Sequence, residues 1–207
     1  MPLNVYTTRI SGVSLPKTRQ GWNKFYAFVE AAEKLFAESG FSDVSISDIC
    51  REAGTAVGTF YIYFETKADI YRYLVESYGN RIRQNLAKDI EGCTTRAERE
   101  RAGIKSFVKL AVEAPTLYSI IWGSLAVDKQ LFENYYVSFA KIYARSLHAD
   151  QDEVKSTDLT TLSYALMGIS SFLGLRAIFE KMSEEEIDQM IDGTFMPMLR
   201  EGVLKEI

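Results

Sequence analysis

The chain has 207 residues, which is enough for one large or two small domains with a hydrophobic core. Hydrophobic residues make up 47% of the sequence and charged residues 25%, as in ordinary soluble globular proteins. The low number of prolines, only four, favours an all-α fold. The two isolated cysteines, Cys50 and Cys93, indicate a reducing cytoplasm rather than a disulfide framework. No secretory signal is recognisable, so we expect a cytoplasmic protein.

The net charge of −4 is unevenly distributed along the chain. Residues 1–29 hold four basic residues and no acidic one, whereas residues 68–207 hold 17 basic and 21 acidic residues. The acidity therefore lies in the carboxy-terminal part, and the amino-terminal part is the better suited to a polyanionic partner.

The first predicted elements are an arm and a helix. Residues 1–21 lack helical periodicity and contain two glycines and two prolines, so we predict a flexible basic arm. Apolar residues at helical spacing then predict helix 1 from Trp22 to Ser39, and Gly40 ends it.

Residues 45–64, SISDICREAGTAVGTFYIYF, are the most informative stretch of the chain. Ser45 and Asp48 form a predicted capping box for a short helix, and Gly54 supplies its left-handed stop. Thr55 is the predicted cap of the helix that follows. Two short helices around a glycine turn are the layout of a helix-turn-helix DNA reader, and they equally fit a plain helical hairpin in an all-α core.

Six further helices are predicted after this motif. Thr66 and Asp69 form a second capping box, which opens a long helix 4 that extends to about residue 90. Pro197 is expected to kink or end the last helix locally. The helices after helix 4 span about 96–113, 116–126, 129–148, 158–181 and 184–202.

The segment from residue 32 to 71 resembles the amino-terminal domain of the TetR family of bacterial transcriptional regulators. The matching motifs are Ala31–Phe41, the Ser-Ile-x-x-Ile start of the second helix, Ala53-Gly54, and Gly58-Thr59-Phe60-Tyr61-x-Tyr63-Phe64-x-x-Lys67. This resemblance covers residues 22–82 and implies an all-α, TetR-like fold. It implies a three-helix DNA-binding head and a six-helix ligand-binding and dimerisation body over residues 83–207.

The resemblance also implies which residues contact an operator of double-stranded DNA. Val57 and Thr59 are expected near base edges, and Ser47, Tyr61 and Lys67 on phosphates. The full set of matching positions is Ser47, Thr55, Val57, Thr59, Tyr61, Ile62 and Lys67. The sequence does not decide whether the basic arm also touches DNA.

Two residues of the second motif helix depart from the pattern of the family, and a third is costly in a helix. Val57 and Ile62 stand where polar residues are common in the family, and neither donates a hydrogen bond. Readout therefore relies on apolar contact with thymine methyl groups, or operator specificity is unusual. Gly58 costs about 1 kcal/mol relative to alanine inside a helix, which indicates close approach of DNA or of helix 1.

The body carries aromatic residues whose role the sequence leaves open. An aromatic stripe from Phe132 to Tyr143 recurs at helical spacing, which is more often core than pocket. The body is similar to fatty-acyl-CoA-responsive members of the family, notably over Pro115–Tyr118 and Tyr164–Arg176. By this resemblance the candidate ligand contacts are Phe107, Leu110, Tyr118, Ile121, Trp122, Tyr136, Phe139, Tyr143 and Phe172.

The segment Leu159–Phe179 is apolar on nearly every side. Its uncharged run, Leu159–Leu175, has only 17 residues and holds seven Ser, Thr or Gly, so we expect a packed helix and no membrane span. A face with Gly168, Ser171 and Leu175 allows close helix approach, and the resemblance implies a homodimer interface there.

The sequence shows no recognisable catalytic or metal-binding constellation. His148 is the sole histidine, and no Ser-His-Asp set, Cys-His set, metal cluster or phosphate loop can be assembled. We therefore predict a non-enzyme without a cofactor. The resemblance implies a ligand-responsive repressor that a large apolar molecule, such as an acyl-CoA, releases from a palindromic operator. The alternative is a ligand-binding or interaction protein with a weakened DNA head.

Overall fold

The computed structural model describes residues 10–205, and this part of the chain is all-α. A 3-10 turn covers Gln151–Glu153, and a π-helical turn, Ile191–Phe195, joins the last two helices into one run. Counted in this way, the described residues form the nine helices that were predicted. The helices are α1 (Arg19–Asp43), α2 (Ile46–Glu52), α3 (Val57–Tyr63), α4 (Lys67–Asp89), α5 (Arg96–Glu113), α6 (Pro115–Val127), α7 (Lys129–Ala149), α8 (Leu159–Glu180), α9 (Glu184–Met190) and α10 (Met196–Gly202).

Local start and stop signals act where the sequence predicted them. Gly40 breaks α1 with a φ of +77°, and Gly54 follows α2 with a φ of +62°. The capping boxes that begin at Ser45 and Thr66 are both formed. Pro197 lies in the first turn of α10, directly after the π-helical turn. Its missing N–H removes a hydrogen bond of a regular α-helix, which accounts for the interruption at this point.

The described chain divides into two compact units. The head unit comprises the chain up to Asn80 together with Thr116–Tyr135, and the body unit comprises Arg81–Pro115 together with the chain from Tyr136 onward. The division expected from the sequence differs, because it assigned all of α6 and the start of α7 to the body. The structure groups most of α6 with the DNA-head helices instead.

A cluster of aromatic rings holds the head unit together. The ring centroid of Phe25 in α1 lies 4.9 Å from that of Phe64 and 4.9 Å from that of Tyr73 in α4. Phe28 makes an edge contact with Phe60 of α3 at 5.5 Å. All five rings are at most 1% exposed, and burial of such a side chain stabilises a fold by about 1.5–3 kcal/mol. This packing decides which side of α3 faces inward.

Two residues of α4 connect that helix to α6 and α7 within the head unit. The hydroxyl of Tyr71 donates to the carbonyl of Ile120 at 2.6 Å, and burial raises the pKa of Tyr71 to about 12, so the hydroxyl remains a donor. The guanidinium of Arg72 donates to Asp69 at 2.7 Å and to Asp128, between α6 and α7, at 3.4 Å. These contacts explain why most of α6 belongs to the head unit.

Part of the predicted flexible arm packs against the head unit. We call the segment Ser11–Ser14 the N-terminal strap. The N–H of Ser14 donates to the carbonyl of Tyr63 at 2.8 Å, and the N–H of Glu65 donates to the carbonyl of Gly12 at 3.0 Å. The strap therefore holds the carboxy-terminal end of α3. The first nine residues of the predicted arm lie outside the described residues.

The body unit packs α5 against α8, α9 and α10. Its core is aliphatic, and the side chains of Ile104, Val108, Leu166, Ile191 and Leu199 are all at most 3% exposed. A helix such as α5, with one apolar side and one charged side, has to bury the apolar side against neighbours to be stable. The core therefore fixes α5 as the central helix of this unit.

A buried polar network lies beside that core. The guanidinium of Arg96 donates to Glu100 at 2.9 Å, to Ser146 at 3.0 Å and to Asp150 at 3.3 Å. The hydroxyl of Tyr143 donates to Glu100 at 2.5 Å. Burial, followed by the charge of Glu100, holds the pKa of Tyr143 well above its ordinary value, so the hydroxyl remains a donor. The network joins α5 to α7, and removing one partner would leave a buried charge unpaired.

Gly12 allows a direct test of the strap. Its φ is +75°, and an alanine Cβ there would lie 2.3 Å from the carboxylate carbon of the buried Asp69. Gly40 has nearly the same φ, +77°, but has no heavy atom within 4 Å of the Cβ position. We expect Gly40→Ala to cost about 1–2 kcal/mol of left-handed strain. Gly12→Ala should cost the same strain plus about 1–3 kcal/mol of overpacking.

Urea unfolding of the two variants beside the parent protein measures this difference. Because both substitutions introduce the same left-handed strain, the difference between them isolates the contact with Asp69. Equal losses of unfolding free energy would contradict the packing of the strap against α4.

Candidate nucleic-acid interface

The helix pair α2–α3 is built by local hydrogen bonds. The hydroxyl of Ser45 accepts from the N–H of Asp48 at 3.1 Å, and the Asp48 carboxylate accepts from the N–H of Ser45 at 3.0 Å. The Ser45 hydroxyl, and then its N–H, hold the pKa of Asp48 below its ordinary value. The prediction that Thr55 caps α3 is wrong: its hydroxyl donates to the carbonyl of Ala53 at 2.9 Å, and the cap residue is Ala56.

One side of α3 is exposed to solvent. Val57 is 42% exposed, Tyr61 55% and Ile62 61%, whereas Phe60 is fully buried. At about 100° per residue, Val57, Gly58, Tyr61 and Ile62 share an arc of about 140° of the helix surface. We call these four residues the exposed α3 face. The whole helix, VGTFYIY, carries no charged side chain.

The hydroxyl residues of the predicted contact set lie at the margins of this face. Thr59 is half-buried, at the edge of the exposed α3 face beside Ile62, and Ser47 is exposed on α2. Thr55 is half-buried, and its hydroxyl is already used by the Ala53 carbonyl. DNA contact by these three residues stays a prediction.

The side chain of Lys67 makes hydrogen bonds within the fold. Its ammonium group donates to the carbonyls of Phe41 and Val44, both at 2.6 Å, and lies 4.2 Å from the centroid of the Phe41 ring. These contacts tie the start of α4 to the turn between α1 and α2, and the ring contact adds a cation–π attraction. The expectation that Lys67 also meets a phosphate stays a prediction.

Exposed cations cluster at the start of α1. Lys17, Arg19 and Lys24 are all exposed there. This turn lies close to the end of α3, because a Cβ on Gly21 would be 3.3 Å from the hydroxyl oxygen of Tyr63. Their position close to α3 was not predicted from the sequence. The available signal was the lack of any acidic residue in the first 29 positions.

The nine predicted ligand contacts divide between the two units. Tyr118, Ile121 and Trp122 belong to the head unit, where the first two are buried and Trp122 is 42% exposed. The other six belong to the body unit.

Within the body unit, the six residues differ in burial. Leu110 is buried, and Phe107, Tyr136 and Phe139 are half-buried, as is Tyr143, which belongs to the polar network. Burial raises the pKa of Tyr136. Phe172 is 66% exposed on α8, which separates it from an enclosed site.

Helix α8 presents a continuous apolar surface. Phe172 is 66% exposed and Phe179 is 76% exposed. The predicted interface residues Gly168 and Leu175 lie on the same side of the helix as these two rings. Ser171 is half-buried at its edge. We call the surface formed by Tyr164, Gly168, Phe172, Leu175 and Phe179 the apolar α8 face. These five residues lie within an arc of about 100° of the helix surface.

Gly58 gives a test of DNA approach at the exposed α3 face. No heavy atom lies within 4 Å of its Cβ position, so contact with helix 1 does not explain this glycine. We expect Gly58→Ala to stabilise the head by up to about 1 kcal/mol. It should weaken binding to a specific duplex by about 1–3 kcal/mol per head, since the methyl group would overpack a close contact.

Melting temperature and fluorescence anisotropy with a labelled duplex measure the two effects. The matched control is Gly103→Ala in α5, where the added Cβ makes ordinary contacts at 3.9 Å, so stability should change without any effect on DNA. Unchanged DNA affinity in Gly58→Ala would contradict a close approach at this face.

Comparison with known proteins identifies the family. Residues 28–74 match the family described as bacterial regulatory proteins, tetR family. The fatty acid metabolism regulator protein of Bacillus subtilis (strain 168) is 31% identical over 110 residues, which is 52% of this chain and 52% of that protein. The matched region therefore spans about half the length of this curated relative.

Two solved structures share the fold over most of the chain. A TetR family transcription regulator from Marinobacter aquaeolei VT8 has a TM-score of 0.73 at 18% identity, over 91% of this chain and 99% of that one. The fatty acid degradation regulator from Bacillus halodurans has a TM-score of 0.71 at 16% identity, over 87% and 98%. The TetR-like fold is thus confirmed. Residues 28–74 carry the amino-terminal domain of the TetR family of bacterial transcriptional regulators, a family of regulators and not of enzymes, and the chain shares the fold of that family.

Proposed function

We propose that the chain is a repressor that binds operator DNA as a homodimer and is released by a large apolar ligand. The observation that carries this proposal is the exposed α3 face. Phe60 anchors one side of α3 in the aromatic core, and Val57, Tyr61 and Ile62 are left in solvent on the other. An apolar helix face of this kind marks a contact surface, and the major groove admits an α-helix.

The distribution of charge supports DNA as the partner. The exposed α3 face is uncharged, while Lys17, Arg19 and Lys24 stand exposed at the start of α1, beside the end of α3. Contacts to phosphates position a reader on the duplex and contacts to base edges specify the sequence. The two kinds of contact would therefore come from different elements of the head. Transcriptional regulation also fits the cytoplasmic location expected from the sequence.

The apolar α8 face supports the homodimer. The exposure of Phe172 and Phe179 to water is unfavourable. Within one chain, only 22% of the most apolar 18-residue stretch of α8 is buried. Length and composition alone would also allow α8 to cross a membrane. We favour a second copy of α8, because Gly168 permits close approach, and because the ion pair of Arg176 with Glu180, at 3.1 Å, is suited to water.

The dimer is tested by a charge placed on the apolar α8 face. We expect Phe172→Asp to convert the dimer to a monomer, because a carboxylate would be buried without a partner. The matched control is Leu125→Asp on α6, which changes a residue that is 51% exposed and lies outside this face. Light scattering after size-exclusion chromatography gives the mass. A dimeric Phe172→Asp protein, or a monomeric parent, would contradict the interface.

The ligand is assigned to the body unit. Its candidate contacts there are Phe107, Leu110, Tyr136 and Phe139, which offer aromatic and aliphatic surface with one hydroxyl. Two similar proteins are regulators of fatty acid metabolism and of fatty acid degradation by name, which supports an acyl-CoA. Helix α4 belongs to both units, so a ligand-dependent shift of α4 would supply the coupling, typically about 1–3 kcal/mol.

Gel retardation tests the regulator and its ligand together. A duplex enriched by the protein from a random pool is used at moderate salt, with palmitoyl-CoA as the ligand and free CoA as the control. We expect a retarded band that palmitoyl-CoA weakens about 5- to 150-fold and that free CoA leaves unchanged.

The outcomes separate the possibilities. Failure to enrich or retard any duplex would contradict the repressor and favour the alternative, an interaction protein with a weakened head. A retarded band that is insensitive to palmitoyl-CoA would remove only the acyl-CoA assignment.

A further inference from the structure

We propose that the exposed α3 face reads its operator through the 5-methyl groups of thymine, which Val57 and Ile62 contact directly. This inference rests on the proposed DNA binding and names the chemistry by which that site selects its sequence. Readout by hydrogen bonds to base edges would be secondary in this head.

The side chains on the face limit what it can read. Val57 and Ile62 have neither donors nor acceptors, Gly58 has no side chain, and Tyr61 contributes a single hydroxyl. Guanine is normally read by a bidentate Arg or Lys, and α3 contains neither. Arg51 of α2 is paired with Asp48 at 2.5 Å. In the major groove the feature that suits an apolar side chain is the thymine methyl group.

The spacing of the two apolar residues sets the spacing of the thymines. Val57 and Ile62 are five residues apart, which is about 7.5 Å along a helix axis at 1.5 Å per residue. Base pairs are stacked about 3.4 Å apart, so the two side chains span about two base-pair steps. Each half-site should therefore hold two methyl-bearing positions about two steps apart, on either strand.

Gly58 makes such contacts possible. A thymine methyl group lies on the floor of the major groove, so a side chain as short as valine reaches it only if the helix backbone comes close. Gly58 stands between Val57 and Ile62 on the face and has open space at its Cβ position. The missing side chain therefore lets the α3 backbone come close to the bases.

The surroundings of the face favour DNA over a protein partner. Lys17, Arg19 and Lys24 are exposed at the start of α1, whose first turn lies beside Tyr63 at the end of α3. An uncharged, largely apolar helix face suits the methyl-bearing floor of the major groove, and the exposed cations of α1, on a separate helix of the same head, suit its phosphate walls. A protein that covered the same face would have to supply acidic groups beside its own apolar patch.

Uracil substitution tests the proposal without altering the protein. The duplex enriched from a random pool is remade with uracil for thymine at one position at a time, which removes a methyl group and keeps every base-pairing atom. Affinity is measured by fluorescence anisotropy for the parent protein and for Ile62→Ala. We expect a loss of about fourfold per critical methyl, the factor for one methyl-sized group removed from water.

A double-substitution cycle assigns each methyl to its residue. Ile62→Ala should weaken the thymine duplex several-fold and the matching uracil duplex little further, because both changes remove the same contact. Leu125→Ala, which removes an exposed apolar side chain from α6, should leave both affinities unchanged. Uracil placed outside the enriched sequence is the control for the duplex.

Each result has a distinct meaning. Enriched duplexes that bind equally well with uracil at every position would overturn the methyl readout while leaving DNA binding intact. Additive losses in the cycle would overturn the assignment of Ile62. If no duplex is enriched, the proposed function itself fails, and the exposed α3 face would then belong to a protein partner.

Discussion

The packing of Phe25 is the constraint on which the account of the head depends. This ring lies between Phe64 and Tyr73, and with Phe28 against Phe60 it joins α1, α3 and α4 in one buried cluster. A seven-residue helix is too short to be stable alone, so α3 exists because this cluster holds one of its sides. Once Phe60 faces inward, the helical repeat forces Val57 and Ile62 outward. The surface offered to a partner is therefore a consequence of the core.

Around that cluster, the head is fixed mainly by hydrogen bonds to backbone carbonyls. Lys67 holds the turn before α2, the N-terminal strap holds the end of α3, and Tyr71 holds α6 through the carbonyl of Ile120. Among these contacts only that of Lys67 uses a cationic side chain, and Lys17, Arg19 and Lys24 stay exposed at the start of α1. Under the proposed function, a head built in this way would gain specificity from shape and apolar contact, and its affinity would depend on presenting two heads together.

The features that the sequence predicted well are local ones. The capping boxes at Ser45 and Thr66, the left-handed glycine at position 54 and the interruption at Pro197 depend on neighbours within a few residues, and all were found. The nine helices followed from periodicity. The expected cap at Thr55 failed because a nearby carbonyl competes for its hydroxyl. The hydrogen bonds made by Lys67, by the N-terminal strap and between Tyr71 and α6 join residues more than 20 positions apart. No pattern in one sequence encodes such pairings.

Hydrogen exchange tests most directly whether the exposed α3 face binds DNA. Mass spectrometry would compare amide exchange in the free protein with exchange in the presence of an enriched duplex or a scrambled duplex of equal length. We predict slower exchange over Ser45–Lys67 and the start of α1 with the enriched duplex only. Unchanged exchange over these segments, or slower exchange confined to the body unit, would contradict DNA binding by this face.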